Sequence, residues 1–278
     1  MTSTLNISQM NIDSSYIFMF LRIVIFSYIG LLFVLFFNQK NLIFIPSQKD
    51  YDTPLPQNVT NVYFTTTDEI NLHGWFLDNK ADKTVLFFHG NAGNVQNRRR
   101  QIEIFETLGL NALIFDYREY GKSEGTIQSE NDLYKDSQAA VKFLNNEKNI
   151  DNKDIIIWGR SLGGAIAIDT ASKNDFHKTI IESSFSSIQD MASHQFWYFG
   201  KLMILKFHFS SIDKIENISS PLLIMHSPTD EIIPFQQGEK LFKKASEPKT
   251  FFELKGSHND GYMESFEGYI KSIQGFLE

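Results

Sequence analysis

From residue 84 to the end of the chain, short apolar runs alternate with helical patterns, and this alternation limits the possible folds more than any other feature. The runs are unbroken, which is typical of strands buried on both faces of a sheet. Two earlier stretches alternate apolar and polar residues and predict an antiparallel hairpin. Strands that alternate with helices form mostly parallel sheets with right-handed crossovers. The sequence therefore predicts an α/β fold with a mostly parallel eight-stranded sheet and helices on both faces. The predicted strands are 62–66, 70–77, 84–88, 112–116, 154–158, 178–181, 222–226 and 250–254, and the predicted helices lie around 95–108, 129–147, 162–173, 236–245 and 262–277.

A serine flanked by glycines follows one of these buried runs, in the sequence GRSLGG at residues 159–164. In sheets of this kind the chemistry collects at the carboxyl ends of the strands. A nucleophile on a sharp strand-to-helix turn has a strained backbone, and the residues two before and two after it crowd together. Glycine at Gly159 and Gly163 removes the clashing Cβ atoms. The pattern predicts a nucleophile elbow with Ser161 as the nucleophile. The alternative is a helix that begins with an N-cap serine.

An acid and a histidine follow the last two predicted strands. Asp230 lies just past strand 222–226, where a carboxylate can reach an imidazole and hold its tautomer, and the neighbouring Glu231 is the alternative acid. Of the seven histidines, only His258 follows the final strand on a loop of small residues. The chain order serine, acid, histidine is the order expected after a nucleophile elbow of this kind. Ser161, Asp230 and His258 are therefore the predicted catalytic triad.

The turn after strand 84–88 has the sequence HGNAGN and predicts one side of an oxyanion hole. We expect one backbone N–H from Asn91. The second is expected from Leu162, at the N-terminus of a helix whose dipole also favours an anion. His89 is interpreted as a structural histidine that holds the turn, with direct catalysis as the alternative.

Five segments of the chain carry the motifs described above or lie between them. Together they resemble the corresponding segments of the α/β-hydrolase superfamily, in particular of the branch typified by the membrane-anchored alpha/beta-hydrolase domain-containing protein 13. The resemblance runs from about residue 40 to the end of the chain. It implies the α/β-hydrolase fold and esterase, thioesterase or lipase-like activity without a cofactor. One departure is Glu119, where the D-Y-R-G-Y-G pattern of the family usually has glycine. The segments are HGNAGN at 89–94, DYREYGKSEG at 116–125, GRSLGG at 159–164, SPTDEIIP at 227–234 and GSHND at 256–260.

Residues 16–37 form an apolar stretch interrupted by one charge, Arg22. A helix of this length spans about 33 Å, enough for the core of a bilayer. Sixteen of its 22 residues are Leu, Ile, Val or Phe. Each contributes roughly −0.3 to −0.6 kcal/mol to insertion, and together they outweigh a central arginine at roughly +2.5 to +3.5 kcal/mol. The stretch predicts a single-pass transmembrane signal anchor. A cleaved signal peptide and a helix packed on the surface of the domain are the alternatives.

The predicted organisation is an N-terminal tail (1–15), the anchor (16–37), a linker (38–61) and an α/β-hydrolase domain (62–278). Within the domain, the segment at about 184–218 is longer than a plain crossover needs and predicts a cap-like insertion. It carries the aromatic run FWYF and a following stretch rich in Met, Leu and Phe. An aromatic cap beside a membrane anchor favours an acyl chain or lipid as the substrate. The alternative is that these side chains only pack on the sheet.

The composition narrows the remaining functional classes. A net charge of −7 gives no indication of nucleic-acid binding, and the basic run at 98–100 is interpreted as a solvated helix face. The chain has no cysteine, which excludes disulfides, thiolate nucleophiles and Cys-ligated zinc, and we expect neither a metal nor a cofactor. The sequence predicts a membrane-anchored serine hydrolase that cleaves esters or thioesters through an acyl-enzyme. Acyl transfer or peptide hydrolysis by the same triad, and a non-catalytic membrane scaffold, are the rival functions.

Overall fold

The computed structural model describes residues 14–50, 53–196 and 200–278, and its strands and helices follow the predicted alternation. In chain order the strands are β1 Ile45–Pro46, β2 Val59–Thr65, β3 Asn71–Leu77, β4 Thr84–Phe88, β5 Ala92–Gly93, β6 Asn111–Phe115, β7 Ile155–Arg160, β8 Lys178–Glu182, β9 Leu222–His226 and β10 Lys249–Glu253. The helices are α1 Ser14–Ile43, α2 Arg99–Thr107, α3 Glu130–Asn146, α4 Leu162–Ala171, α5 Ile188–Gln195, α6 Phe235–Lys244, α7 Gly261–Glu264 and α8 Phe266–Leu277.

The main sheet has eight strands in the order β10-β9-β8-β7-β4-β6-β3-β2. Neighbouring strands are parallel except in the pairs β2–β3 and β3–β6. Every residue of β4, β6 and β9 is buried, which explains why these strands are unbroken apolar runs rather than alternating ones. The mostly parallel eight-stranded sheet predicted from the sequence is confirmed.

Helices cover both faces of this sheet. In β4, Leu86 and Phe88 belong to the core that contains α3, α4 and α6, whereas Val85 and Phe87 belong to the core shared with α2 and α8. The two sets alternate because successive side chains of a strand point to opposite faces. With β4, β7, β8, β9 and β10 held parallel between the two helix layers, the loops after these strands all emerge at the same edge of the sheet.

Helix α1 is long and apolar enough to cross a membrane, by its length and composition. It spans Ser14–Ile43 and so extends beyond the predicted anchor, 16–37, at both ends. None of its apolar window is buried against the domain, which argues against the alternative of a helix packed on the domain surface. Most of the predicted N-terminal tail, residues 1–13, lies outside the described residues.

The first part of the predicted linker, 38–61, packs on the domain instead of forming a free spacer. Helix α1 continues to Ile43, and Phe44 is 3% exposed and packs edge-on against Phe207 and Phe209. Strand β1 then pairs in parallel with β5. Burial of an aromatic ring together with a backbone ladder fixes this segment on the domain. The end of α1 therefore has a defined position relative to the loops at the edge of the sheet.

Glu119 stands where the family pattern has glycine, and its backbone has φ +74°, in the left-handed region that favours glycine. Its carboxylate accepts the Ile127 N–H at 2.9 Å and forms an ion pair with Lys40 Nζ at 2.7 Å. The departure therefore keeps the turn and adds a side chain that joins the loop to the end of α1.

The segment between β8 and β9, which the sequence predicts as a cap-like insertion and which we call the cap, has apolar side chains in two kinds of surroundings. Phe207 and Phe209 are buried in the core of the domain, as side chains that only pack on the sheet would be. Met191 of α5 and Met203 instead line a cavity beside the predicted nucleophile. Residues 197–199, three of the four aromatic residues of the FWYF run, lie outside the described residues.

Candidate active site

Ser161 lies on the sharp turn between the end of β7 and the start of α4. Its backbone has φ +55° and ψ −123°, which L residues rarely adopt. A Cβ atom at Gly159 would collide with Ala167 and with the backbone of Gly163, and a Cβ atom at Gly163 would collide with the carbonyl of Phe88. The close packing of α4 against β7 and β4 thus requires both glycines, as predicted for a nucleophile elbow.

Replacing Gly163 by alanine is expected to lower the free energy of unfolding by about 3 kcal/mol, because the added methyl group overpacks a contact with neighbouring backbone. Thermal unfolding followed by circular dichroism measures the loss. Gly275→Ala is the matched control, since no atom lies within 4 Å of a Cβ added there. At that exposed helical position we expect a gain of about 0.5–1 kcal/mol. A Gly163→Ala protein as stable as the wild type would show that the turn is not crowded.

Ser161, His258 and Asp230 form a continuous chain of hydrogen-bonding groups. His258 Nε2 lies 3.1 Å from Ser161 Oγ, and His258 Nδ1 lies 2.7 Å from Asp230 Oδ2. The histidine and the aspartate are both buried. With its proton on Nδ1, the imidazole donates to Asp230 and leaves Nε2 free to accept the hydroxyl proton of Ser161. The structure thus brings together all three predicted triad residues in the arrangement of a nucleophile, a base and an orienting acid.

The surroundings of Asp230 favour its ionised form. Its Oδ1 accepts the backbone N–H groups of Ile232 at 2.9 Å and Ile233 at 2.7 Å, and His226 Nε2 lies 3.4 Å from Oδ2. Burial opposes ionisation, but the hydrogen bonds from His226, His258 and the backbone outweigh it and hold the pKa of Asp230 well below its ordinary value. A fixed negative charge here stabilises the imidazolium that forms when the histidine takes up a proton.

Glu231, the alternative acid, contacts the backbone of His258 and not its ring. Its Oε2 accepts the His258 N–H at 3.0 Å, and the side chain also lines a cavity beside Ser161. Asp230 is therefore the carboxylate in position to orient the imidazole, and Glu231 is in position to hold the loop that carries it.

Arg160 and Glu182 also hold the histidine loop, and sequence reasoning missed both. Arg160 Nη2 donates to the carbonyl groups of His258 at 2.7 Å and Asn259 at 3.1 Å. Its Nε lies 3.2 Å from the buried carboxylate of Glu182, at the end of β8. Arg160 occupies the variable position before the nucleophile, so its place on the elbow was visible in the sequence. No pattern indicates which loop so long a side chain reaches.

The two predicted oxyanion donors, Asn91 and Leu162, line the same cavity as Ser161. Leu162 is the first residue of α4, so its N–H has no partner within the helix. The carbonyl of Asn91 accepts the Ile45 N–H at 3.0 Å and the Tyr120 hydroxyl at 2.7 Å, and these bonds fix the loop. Both residues therefore lie beside Ser161, and their role as oxyanion donors stays a prediction.

His89 is fully buried and packs on Tyr117, with ring centroids 4.5 Å apart. Its Nδ1 lies 2.7 Å from the carbonyl of Gly90, and its own carbonyl accepts the Tyr117 hydroxyl at 2.9 Å. Burial, reinforced by the positive charge of Arg98, lowers the pKa of His89 to about 3, so the ring is neutral. These contacts are those of a structural histidine that holds the turn.

Two cavities meet at Ser161 and Asn91. The larger, which we call the apolar cavity, has a volume of about 500 Å³, within the range of roughly 300–1,000 Å³ for small-molecule sites. The smaller, the cationic cavity, has about 340 Å³ and contains His258, Arg98 and Arg160. Within the described ranges, no group of three or more histidine and carboxylate side chains could hold a metal ion. The apolar lining includes Leu162, Phe185, Ile188, Met191, Met203 and Leu205.

Comparison with known sequences places this site in a family. The sequence model of the prolyl oligopeptidase family matches residues 117–262, more than half of the chain and the part that holds the triad. The alpha/beta hydrolase domain-containing protein WAV2 of Arabidopsis thaliana is 33% identical over 271 residues, which cover 86% of this chain and 87% of the relative. Protein bem46 of Schizosaccharomyces pombe is 33% identical over 259 residues, covering 86% and 85%.

Solved structures agree on the fold. The esterase Pf2001 of Pyrococcus furiosus matches with a TM-score of 0.72 at 22% identity, over 84% of this chain and 97% of that one. An alpha-beta hydrolase from Vibrio vulnificus matches with a TM-score of 0.67 at 22% identity, over 79% and 81%. The architecture is that of the α/β-hydrolases. The chain belongs to the prolyl oligopeptidase family of the α/β-hydrolase superfamily.

Proposed function

We propose that this protein is a membrane-anchored serine hydrolase that cleaves carboxylic ester or thioester bonds in acyl-chain or lipid-like substrates. One observation carries the proposal: the hydrogen-bonded chain from Ser161 through His258 to Asp230, beside an apolar cavity. A scaffold has no need for a strained serine in contact with an imidazole and a buried carboxylate. Membership of a hydrolase superfamily supports the reaction class.

In the proposed mechanism, His258 removes the proton from Ser161 Oγ as this oxygen attacks the acyl carbonyl carbon. The N–H groups of Asn91 and Leu162 stabilise the tetrahedral oxyanion. His258 then protonates the leaving alcohol or thiol, and the acyl group stays on the serine. A water molecule, deprotonated by the same imidazole, hydrolyses this acyl-enzyme and regenerates Ser161. Asp230 stays ionised throughout.

An ester series tests the proposed function. The full-length protein in detergent micelles is assayed with 4-nitrophenyl esters from acetate to octanoate. We expect kcat/KM to rise at least about tenfold over the series, because each buried CH₂ group contributes about 0.8 kcal/mol. If the folded protein hydrolyses none of these esters, the proposed function is wrong. If kcat/KM falls steeply from butyrate to octanoate, the proposal of a lipid-like substrate is wrong.

We also infer that α1 is a retained single-pass anchor and that the chain falls in the branch typified by alpha/beta-hydrolase domain-containing protein 13. The length and composition of α1 support the anchor. The C-terminal end of α1 makes an ion pair and two hydrogen bonds with the domain, and signal-peptide cleavage after this end would remove them. Extraction of membranes with alkaline carbonate tests the anchor, since a retained helix keeps the protein in the pellet and a cleaved one releases it.

Peptide-bond hydrolysis is the second candidate, because the matching family is that of prolyl oligopeptidase. The same triad can attack an amide carbonyl. A blocked peptidyl-proline 4-nitroanilide is therefore assayed beside 4-nitrophenyl octanoate. A larger kcat/KM for the anilide would replace the esterase proposal with a peptidase.

The cationic cavity favours leaving groups that carry negative charge. Arg98 belongs to the basic run interpreted as a solvated helix face, yet its Nε is buried without a hydrogen-bond partner. Among the described residues, no carboxylate lies within 4.0 Å of its guanidinium. Its Nη2 donates to the carbonyl of Ala92, a neutral group that does not balance the charge. A partly desolvated cation of this kind is stabilised by a bound anion.

Arg98→Gln is therefore expected to lower kcat/KM about tenfold for the butyrate ester of 3-carboxy-4-nitrophenol. The same change should have little effect on the neutral 4-nitrophenyl butyrate. Arg100→Gln is the matched control, because Arg100 is exposed and pairs with Glu103 on the helix surface. An unchanged ratio between the two esters in the Arg98→Gln protein would refute an anion subsite.

A further inference from the structure

The C-terminal end of α1 forms a wall of the apolar cavity. Gln39, Leu42 and Ile43 line this cavity together with Met203 of the cap and the predicted nucleophile, Ser161. The helix that has the length and composition of a membrane anchor therefore reaches the site itself. Its last turn contributes apolar surface where an acyl chain would lie.

The side chain of Gln39 forms hydrogen bonds that hold this end of α1 to the cap. Its side chain is 3% exposed; Nε2 donates to the carbonyl of Ile204 at 2.7 Å, and Oε1 accepts the N–H of Lys206 at 2.8 Å. A buried amide with both ends satisfied has a defined orientation. The Lys206 ammonium also lies 4.5 Å from the ring centroid of Phe36, within the range of a cation–π interaction. The cap is thus joined to α1 at the point where the apolar stretch ends.

The same helix end is joined to the loop that carries a proposed oxyanion donor. Asn91 Nδ2 donates to the carbonyl of Ile43 at 3.2 Å. The ion pair between Lys40 and Glu119 holds the helix to the loop after β6. A change in the position of α1 would therefore alter both the apolar cavity and the oxyanion loop.

This wall lies at the level of the lipid headgroups when α1 spans a bilayer. The apolar stretch ends at Phe37, and Leu42 lies about 7.5 Å further along the helix axis. The headgroup layer on each side of a bilayer is roughly 5–8 Å thick. Leu202 and Ile204 of the cap are 65% and 74% exposed, and Ile204 is bonded to Gln39 at this level. Exposed apolar side chains beside a membrane helix are suited to contact with lipid.

We propose that the last turn of α1 is a specificity-determining wall of the apolar cavity, and that the acyl chain of a bilayer lipid enters the site along it from the membrane surface. This rests on the proposed function, because it names the source of the acyl group that Ser161 attacks. The substrate class is an amphiphile whose single acyl chain leaves the bilayer far enough to fill the cavity. In this arrangement α1 both anchors the domain and shapes its substrate site.

The test of cavity occupancy uses the full-length protein in phosphatidylcholine vesicles and a fatty acid with a diazirine at its terminal carbon. After photolysis, mass spectrometry is expected to find crosslinks at Met191, a cavity residue of α5. Leu42→Trp places a larger side chain at the cavity wall, where it takes up space that the acyl chain would occupy. It should lower this crosslinking at least fivefold, roughly the effect of losing one well-packed contact. Leu31→Trp makes the same change at another exposed residue of the same helix, one that does not line the cavity, and should have no effect. Equal crosslinking at Met191 in the wild-type and Leu42→Trp proteins overturns the inference.

A second measurement separates this inference from the proposed function. For 4-nitrophenyl decanoate and butyrate, Leu42→Trp is expected to lower the ratio of the two kcat/KM values about fivefold, and Leu42→Ala, which widens the cavity, to raise it. If the wild type hydrolyses neither ester but crosslinking still depends on Leu42, the hydrolase proposal fails and the cavity wall stands. If both esters are hydrolysed and neither Leu42 variant changes the ratio, the wall is not a determinant and the inference fails.

Discussion

Replacing Ser161 by alanine is expected to lower kcat for ester hydrolysis by about 10⁶-fold, the largest loss from any single substitution. Without Oγ there is no nucleophile and no acyl-enzyme, and His258 loses the hydroxyl group that lies 3.1 Å from its Nε2. The residual rate would come only from substrate binding and from the oxyanion donors. Initial rates with saturating 4-nitrophenyl butyrate measure the loss.

Ser172→Ala is the matched control for this experiment. Ser172 follows the last residue of α4, the helix that begins after the nucleophile, and its Oγ donates to the carbonyl of Asp169 at 2.9 Å. We expect this variant to keep the kcat of the wild type, because the lost bond lies at the far end of the helix. A folded Ser161→Ala protein that keeps more than about 1% of the wild-type kcat would mean that another residue is the nucleophile.

Asp230→Asn is expected to lower kcat by about 10⁴-fold, the second largest effect. The amide keeps the shape of the carboxylate but removes the charge that His258 Nδ1 meets at 2.7 Å. The imidazole then favours the tautomer with its proton on Nε2, which cannot accept the proton of Ser161. The loss should lie in kcat and not in KM, because Asp230 lines neither cavity at the nucleophile. Steady-state kinetics with 4-nitrophenyl octanoate measures both constants.

Glu231→Gln provides the comparison, since it also replaces a carboxylate by an amide, one residue further along the chain. Glu231 accepts the backbone N–H of His258, and an amide oxygen can still accept this bond. We expect a loss of less than about tenfold, as for other changes that leave the hydrogen bond in place. Equal losses in the two variants would instead make Glu231 a second orienting acid.

The sequence predicts most of the site because a parallel sheet fixes where its strand ends lie. Once the predicted strands ending at residues 88, 158, 226 and 254 are parallel members of one sheet, the loops after them meet at one edge. Ser161 and His258 are 97 residues apart in the chain, yet their side chains meet at 3.1 Å. The crowding at Gly159 and Gly163 is likewise a local consequence of the turn, so their spacing was readable without coordinates.

Contacts between long side chains and irregular segments are not predictable in this way. Arg160 reaches the carbonyl of His258, but neither residue belongs to a periodic pattern that would indicate the pairing. The end of α1 is a similar case. Hydropathy predicts the apolar stretch, whereas the helix continues to Ile43 because Gln39 and Phe44 are buried against the domain. Only tertiary packing determines that extension.

Covalent labelling with a fluorescent fluorophosphonate tests most directly the central claim, that Ser161 is an activated nucleophile. The full-length wild-type and Ser161→Ala proteins are labelled side by side, after thermal unfolding has shown that both are folded. We predict label on the wild type alone, and on the peptide that contains Ser161. Label on both proteins, or none on a folded wild type, would contradict the claim.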